Sequence, residues 1–508
     1  MSIGTHEPYD VVIIGSGVGG GAIALTLAGT GARILILERG ERLPREAENW
    51  SPEAVFVEQR YRTRETWYDG NGQPFRPGQF YFVGGHTKVY GTAMFRFRER
   101  DFEGVEHADG KTVPWPIRYA DLEPWYGKAE NLFGVHGKAG DDPTEPPRST
   151  PYPHPPIPHE PIIAKAFERL RGLGLHPFHM PSAVDLHAGG SCVRCGTCDA
   201  FPCKVGAKGD AETRLIDPAL RFTNVALQTG SEVTRILADE KGKRIVAVEY
   251  RRGGKIQTVS AHLFVLSAGA INSAALLLRS ADARNPLGLA NSSGVVGRYY
   301  MNHNCTGIMA LTPLHVNGTH FPKTLSVNDF YFASGASDKP LGNLQLLGKI
   351  QEPMLRSALR RTPKWLRSWL ARHSVDWYVM SEDLAQRDSE VRVRSDGAIE
   401  LRWKRSNLDA HRRFVGVAKK LLQDIGFPVV LSKPFGTDTP SHQCGTVRFG
   451  TDPAACALDP YCRAWDHDNL YVVDAGFFPS SAALNPALTI AAQALRVGSH
   501  LKARLHEF

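Results

Sequence analysis

The chain has 508 residues, 42% of them hydrophobic, enough to bury sizeable cores in more than one unit. Its formal charge of +8 comes from 60 basic and 52 acidic residues interspersed without long blocks of one sign, which argues against a nucleic-acid-binding surface. Eight cysteines fall far below the density of a secreted disulfide scaffold, no basic-then-apolar leader opens the sequence, and no segment runs apolar for a membrane helix; the expectation is a cytoplasmic protein without a membrane span.

The first predicted unit covers residues 10–38. VVIIGSGVGGG sets Gly15, Gly17 and Gly20 directly after a buried-strand pattern and before the helix-forming GAIALTLAG, and the next strand ends on Glu38. The glycines suit a tight turn, a close approach of backbone to a pyrophosphate, and close helix–strand packing. The helix N-terminus offers free N–H groups to the anion, and Glu38 can hold ribose hydroxyls. This pattern alone does not separate FAD from NAD.

Residues 141–161, with PPRSTPYPHPPIPHEP, carry too many prolines for helix or sheet and read as an extended strap between units, or an arm gripping a second copy of the chain. Next comes C-x2-C-x2-C-x4-C at Cys192, Cys195, Cys198 and Cys203. An iron–sulfur loop of the ferredoxin type has a shorter last gap followed by proline, where Lys204 stands here. Four thiolates this close also make an awkward tetrahedral zinc clamp, so a loop of free thiols or one disulfide is expected, with no metal.

TRILADEKGKRIVAVEYRRGGKIQTVSAHLFVLSAG alternates in short strand-like runs, and NPALTIAAQALRVGSHLKARL has helical spacing. Between them, LGNLQLLGKI and SEVRVRSDGAIELRW read as strands around a basic, Trp-containing amphipathic stretch, residues 354–373, broken at Pro363. That stretch suits a cover over the site or a subunit contact. The fold class expected is α/β: a Rossmann-like dinucleotide-binding domain with an inserted substrate-binding domain built on an antiparallel sheet covered by helices. The first should use residues 1–100, 200–304 and 441–508, and the second 101–199 and 305–440. In the inserted sheet Asn343, Gln345, Trp377 and Tyr378 are candidates for hydroxyl recognition.

VGGHTKVYGTAMFRFRERDF, LSAGAINSAALLLRS, NSSGVVGRYYMNH, HQCGT and DNLYVVDAGFFPSSAALNPALTIAAQAL resemble, in order, the signature blocks of the glucose-methanol-choline (GMC) oxidoreductase family. The resemblance implies FAD, with Gly15, Gly17, Gly20 and Glu38 at its ADP half and Val233 at adenine. It also implies Gly84, Gly85 and Tyr90 beside the flavin, and Asp474 with Ala475 near the pyrophosphate and ribityl chain. Within the family, GGHTKVYG, the strap and the cysteine run look most like bacterial relatives of pyranose oxidase, including C-glycoside 3-oxidases. Where covalent members carry a histidine, the matching position is Val89, which cannot bond the flavin; the FAD should be non-covalent, with His86 the nearby residue to watch.

The resemblance places the catalytic pair at His442 in SHQCGT and Asn485 in LNPALT. Histidine titrates near enough to working pH to take a hydroxyl proton, and an amide can orient the substrate oxygen. The expected reaction is oxidation of a secondary ring hydroxyl of a sugar or glycoside, at C2 or C3, to a ketone, with oxygen or another acceptor reoxidising the flavin. A dehydrogenase passing electrons to a quinone or protein, and a non-redox lyase, are the alternatives.

Overall fold

The computed structural model describes residues 7–439 and 442–508. The expected domain boundary between 440 and 441 and the opening residues 1–6 lie outside the described residues. In chain order the elements that matter are β1 (Tyr9–Ile14), α1 (Val18–Leu27), β2 (Ile34–Leu37), β3 (Trp67–Asp69), β4 (Pro74–Phe75), α2 (Tyr119–Phe133), α3 (Pro161–Gly172) and β5 (Pro177–His179). They continue with β6 (Val225–Gln228), β7 (Glu232–Ala238), β8 (Ile245–Arg252), β9 (Lys255–Leu266), α4 (Ala270–Arg279), β10 (Asn304–Leu311), β11 (Leu325–Val327) and β12 (Asn343–Leu346). The last are α5 (Lys364–Arg372), β13 (Ser374–Ser381), β14 (Glu390–Val393), β15 (Ile399–Arg402), α6 (Leu408–Asp424), β16 (Val429–Pro434), β17 (Leu470–Val472) and α7 (Ala487–Arg504).

The apolar runs VVII and ILIL become β1 and β2 because both of their faces are covered, as a parallel sheet requires. Their sheet runs β6-β2-β1-β9-β8-β7, with β17 also on β9. The pairs β6–β2, β2–β1, β1–β9 and β9–β17 are parallel, whereas β9–β8 and β8–β7 are antiparallel. The long strand β9 makes this change possible: Lys255 to Ser260 pair with β8, and Ala261 to Leu266 pair with β1. α1, rich in glycine and alanine, is buried nearly all round and crosses α7 closely, where a Cβ on Gly498 would lie 2.9 Å from Thr26.

The second sheet, β16-β10-β13-β12-β11-β5, is antiparallel throughout. Strand alternation divides its faces. Ile308, Leu325, Leu344, Val375, Trp377 and Val379 enter a core closed by Phe414 and Leu422 of α6 and Ile163 and Leu170 of α3. Asn343, Gln345 and Tyr378 take the opposite parity and face away from it. Trp377, expected among the hydroxyl-recognising residues, is thus a core residue, while its neighbour Tyr378 has the parity for the site. A smaller sheet, β14-β15-β3-β4, joins segments more than 300 residues apart in sequence.

The proline-rich strap lies on its own chain. Arg148 reaches Glu130 of α2 at 2.7 Å, and the backbone of His154 bonds Val135 and Gly137. In the basic segment, α5 begins just after Pro363, which cannot continue a preceding helix, and Trp365 stands 70% exposed. Among the described residues no helix is long and apolar enough to cross a membrane.

Candidate active site

Gly15 makes the turn out of β1 at φ 97°, and a Cβ there would stand 2.3 Å from the Ser267 carbonyl oxygen. Gly20 approaches the Gly15 carbonyl so closely that a Cβ would meet it at 2.1 Å, and its N–H donates to Ser267 Oγ at 2.8 Å. Gly17 differs: a Cβ would meet nothing within 4 Å, so space opens before the first turn of α1, which carries no acidic side chain. An anion fits there, against free N–H groups and the positive end of the helix.

Glu38 ends β2 with its carboxylate buried, and burial raises its pKa against the lowering pull of its hydrogen bonds. It accepts from Ser16 N–H at 3.0 Å, Ser16 Oγ at 2.6 Å and Gly40 N–H at 2.8 Å, which leaves lone pairs free for ribose hydroxyls. Val233 enters this neighbourhood through the backbone: Ser231 N–H donates to the Glu38 carbonyl at 2.8 Å, and Val233 sits at an irregularity in the β7–β8 ladder. Gly84 and Gly85 close over the same loop. Gly84 N–H donates to Ser16 Oγ at 3.2 Å, and a Cβ on Gly85 would be 3.3 Å from Gly17 Cα.

Asp474 is occupied by its own chain. Its carboxylate accepts from Gly269 N–H (3.0 Å), Ser273 Oγ (2.5 Å) and Gly476 N–H (2.8 Å), tying the start of α4 to the loop after β17. The Ala475 carbonyl accepts from Gly445 N–H at 3.0 Å, which joins this loop to the segment carrying His442. The Tyr90 hydroxyl turns to the Gly209 carbonyl at 2.5 Å, leaving its ring partly exposed. Val89 is buried and aliphatic, and burial pushes the neighbouring His86 down to about 4.

His442 and Asn485 come together from the last two family blocks: Asn485 Nδ2 donates to His442 Nε2 at 3.2 Å. Pro486, not Asn485, takes the N-cap position before α7 begins at Ala487, so the amide is free of capping work. On the other side, His442 Nδ1 lies 2.8 Å from His303 Nδ1, and His303 Nε2 lies 3.1 Å from the Ser481 carbonyl. A carbonyl only accepts, so His303 carries its hydrogen on Nε2. Burial holds His303 below the usual range and therefore neutral, so its Nδ1 accepts from His442 Nδ1–H. The remaining nitrogen of His442, Nε2, carries no hydrogen, and its lone pair accepts from Asn485 Nδ2. Burial first, then the unfavourable coupling an imidazolium there would have with His303 and Lys323, presses the His442 pKa well below the ordinary value, so the imidazole is neutral at physiological pH.

Two further residues, His303 and Gln345, belong to this site. His303 ends the run NSSGVVGRYYMNH, but only the fold gives it a partner. Gln345 donates to Asn485 Oδ1 at 3.0 Å. Thr92 is fully buried at φ 63°, strained for a β-branched residue, with a hydroxyl that has no partner. No sequence signal marks that strain. The four clustered cysteines carry no disulfide, and burial pushes the Cys198 thiol up to about 12. No group of three or more potential metal ligands occurs among the described residues.

Open space at the N-terminus of α1, a buried acid beside it, and a neutral imidazole paired with an amide suit a dinucleotide-dependent oxidoreductase that takes a proton from an alcohol. Two sequence signatures described as GMC oxidoreductase match residues 160–305 and 385–494. The chain is 32% identical to a 6'''-hydroxyparomomycin C oxidase of Streptomyces lividus, over 97% of this chain and 92% of that one. It is 30% identical to a paromamine 6'-oxidase of Streptomyces fradiae, over 96% and 90%. The fold is shared with a crystal structure of pyridoxine 4-oxidase from Mesorbium loti, at TM-score 0.67 and 18% identity over 97% of this chain and 99% of that one. The protein belongs to the GMC oxidoreductase family and is an FAD-binding flavoprotein.

Proposed function

We propose that the protein oxidises a hydroxyl of a sugar or glycoside, with His442 as general base and Asn485 orienting the substrate oxygen. The observation that carries this reading is the lone pair of His442 Nε2, held neutral and beside the Asn485 amide at 3.2 Å. Bound FAD supplies the acceptor for the hydride that leaves the carbinol carbon. Gly15, Gly17, Gly20 and Glu38 hold its ADP half and Val233 its adenine; Gly84, Gly85 and Tyr90 flank the ring, and Asp474 and Ala475 shape the loop beside the chain between. His442 takes the hydroxyl proton as the carbon–hydrogen bond weakens, and Asn485 keeps that oxygen in line. Residues 1–100, 200–304 and 441–508 serve the cofactor, and 101–199 with 305–440 the substrate, in a cytoplasmic enzyme.

The sugar class draws support from the two Streptomyces relatives and from the polar face that Asn343, Gln345 and Tyr378 give the second sheet. Attack at a ring C2 or C3 hydroxyl, as in pyranose and C-glycoside oxidases, is the first reading; the relatives' names favour position 6 as the second. An anaerobic screen of pyranosides, C-glycosides and aminoglycosides tests both. Flavin bleaching identifies substrates, and NMR of the product distinguishes a ketone from an aldehyde. Reoxidation by added oxygen, against a quinone, then separates oxidase from dehydrogenase. A compound that is cleaved without bleaching would replace the reading by a lyase.

A further inference from the structure

The Asn485 amide is one end of a longer line of hydrogen bonds. Gln345 Nε2 donates to Asn485 Oδ1 at 3.0 Å and to Asn343 Oδ1 at 2.8 Å. Asn343 Nδ2 donates to Asn328 Oδ1 at 2.7 Å and to Ser326 Oγ at 2.9 Å, and Asn328 Nδ2 donates to Asp142 Oδ2 at 2.8 Å. All of these side chains are buried. Asp142, in the proline-rich strap, is paired with the buried guanidinium of Arg98, and its other oxygen accepts from the Thr144 N–H and hydroxyl at 2.8 Å.

Each amide in this line has two orientations, and chemistry at the far end selects one. An ionised carboxylate only accepts, so Asn328 must offer Nδ2 to Asp142 and its oxygen to Asn343. Ser326 Oγ gives its own hydrogen to the Leu344 carbonyl at 3.1 Å, so it too receives from Asn343 Nδ2. The Asn343 oxygen therefore faces Gln345, which must answer with nitrogen. Gln345 does so although its own Oε1 is left buried without a partner. Turned over, Gln345 would set oxygen against two oxygens. The sense of donation thus passes along the line to Asn485, whose oxygen is engaged and whose nitrogen points at His442.

We infer that Asp142, Asn328, Asn343 and Gln345 are positioning residues that fix the Asn485 amide with its nitrogen toward His442, so that His442 Nε2 is kept as a proton acceptor. This rests on His442 and Asn485 acting as proposed above. The reverse orientation has a definite consequence. An Asn485 oxygen facing Nε2 calls for a hydrogen there, while Nδ1 must still donate to His303; only the imidazolium satisfies both. The titratable and charged groups acting on His442 are His303 and Lys323, the latter paired with Asp199 at 2.8 Å, and neither belongs to the line.

The test is Gln345→Met, which removes the donor to Asn485 without adding charge, in the FAD-loaded enzyme with a sugar that bleaches the wild type. Anaerobic stopped-flow gives the flavin reduction rate at saturating substrate across pH, with His442→Ala alongside. The expected result is a loss of about 10- to 100-fold at neutral pH, as for other partners that orient a functional group. The acid limb of the profile should move to higher pH, and the substrate dependence should change little. Gln345→Glu, an acceptor that holds the amide in the reversed orientation, should move the limb further and serves if the methionine variant does not fold. A wild-type rate and limb in the Gln345 variants, or a loss confined to substrate affinity, with His442→Ala slow, would overturn the inference while leaving the base in place. Wild-type bleaching by His442→Ala would instead remove the base itself.

Discussion

Replacing His442 by alanine removes the Nε2 lone pair that lies against the Asn485 amide. Two hydrogen bonds disappear with it, to His303 at 2.8 Å and to Asn485 at 3.2 Å, each contributing about 1 kcal/mol. That loss is small beside a typical stability of about 5–15 kcal/mol, and the FAD cradle is built from other segments, so the variant should fold and remain yellow. Loss of a positioned general base slows reaction by about 10²- to 10⁴-fold, or roughly 3–5 kcal/mol in the barrier. The assay is the anaerobic rate of flavin bleaching by a saturating sugar. Raising the pH should restore part of the rate, because hydroxide can take the proton that alanine cannot. A variant that bleaches at the wild-type rate would refute the assignment and direct attention to His303.

Gly17→Ala should fold but lose FAD affinity, since its methyl enters the open cradle; Gly15→Ala should unfold or not accumulate, since its methyl meets the Ser267 carbonyl at 2.3 Å. Fluorescence titration of FAD against the folded apoproteins, with circular dichroism, separates the two, and equal behaviour would refute the distinction. Acid precipitation should leave a colourless pellet and a yellow supernatant, because Val89 offers the flavin no nucleophile; a yellow pellet would implicate His86. Buried His411, held between Thr306 at 2.8 Å and Ser381 at 3.0 Å, has its pKa depressed to about 4. The unfolded state, titrating near 6.5, takes up that proton first, so this stability is present above about pH 6.5 and is lost as pH falls toward 4, by up to about 3 kcal/mol. His411→Gln should therefore lose less stability than the wild type between pH 7 and 4.5 in denaturant titrations; parallel losses would contradict this.

The sequence by itself determined what depends on neighbours along the chain. Residues 10–38 announce strand, glycine turn, helix and strand because the period of apolar residues and the glycine spacing are local properties, and they fold as read. The prolines of 141–161 forbid helix and sheet ladder by fixing φ and removing donors, and the strap is extended. Alternation in β12 and β13 likewise shows that alternate residues share a face. It does not say which face lies over the helices. That waits on the packing of α3 and α6, which took Trp377 into the core and left Tyr378 on the other side. Asp474 lies in a legible block, yet its carboxylate is consumed by Gly269, Ser273 and Gly476, two of them about 200 residues away. The contacts of His442 with His303, and of Asn485 with Gln345, join residues about 140 apart, and the sense of each amide is set by a carboxylate in the strap. Hydrogen-bond direction is a property of a closed network, so it exists only once the tertiary structure has brought every donor to its acceptor.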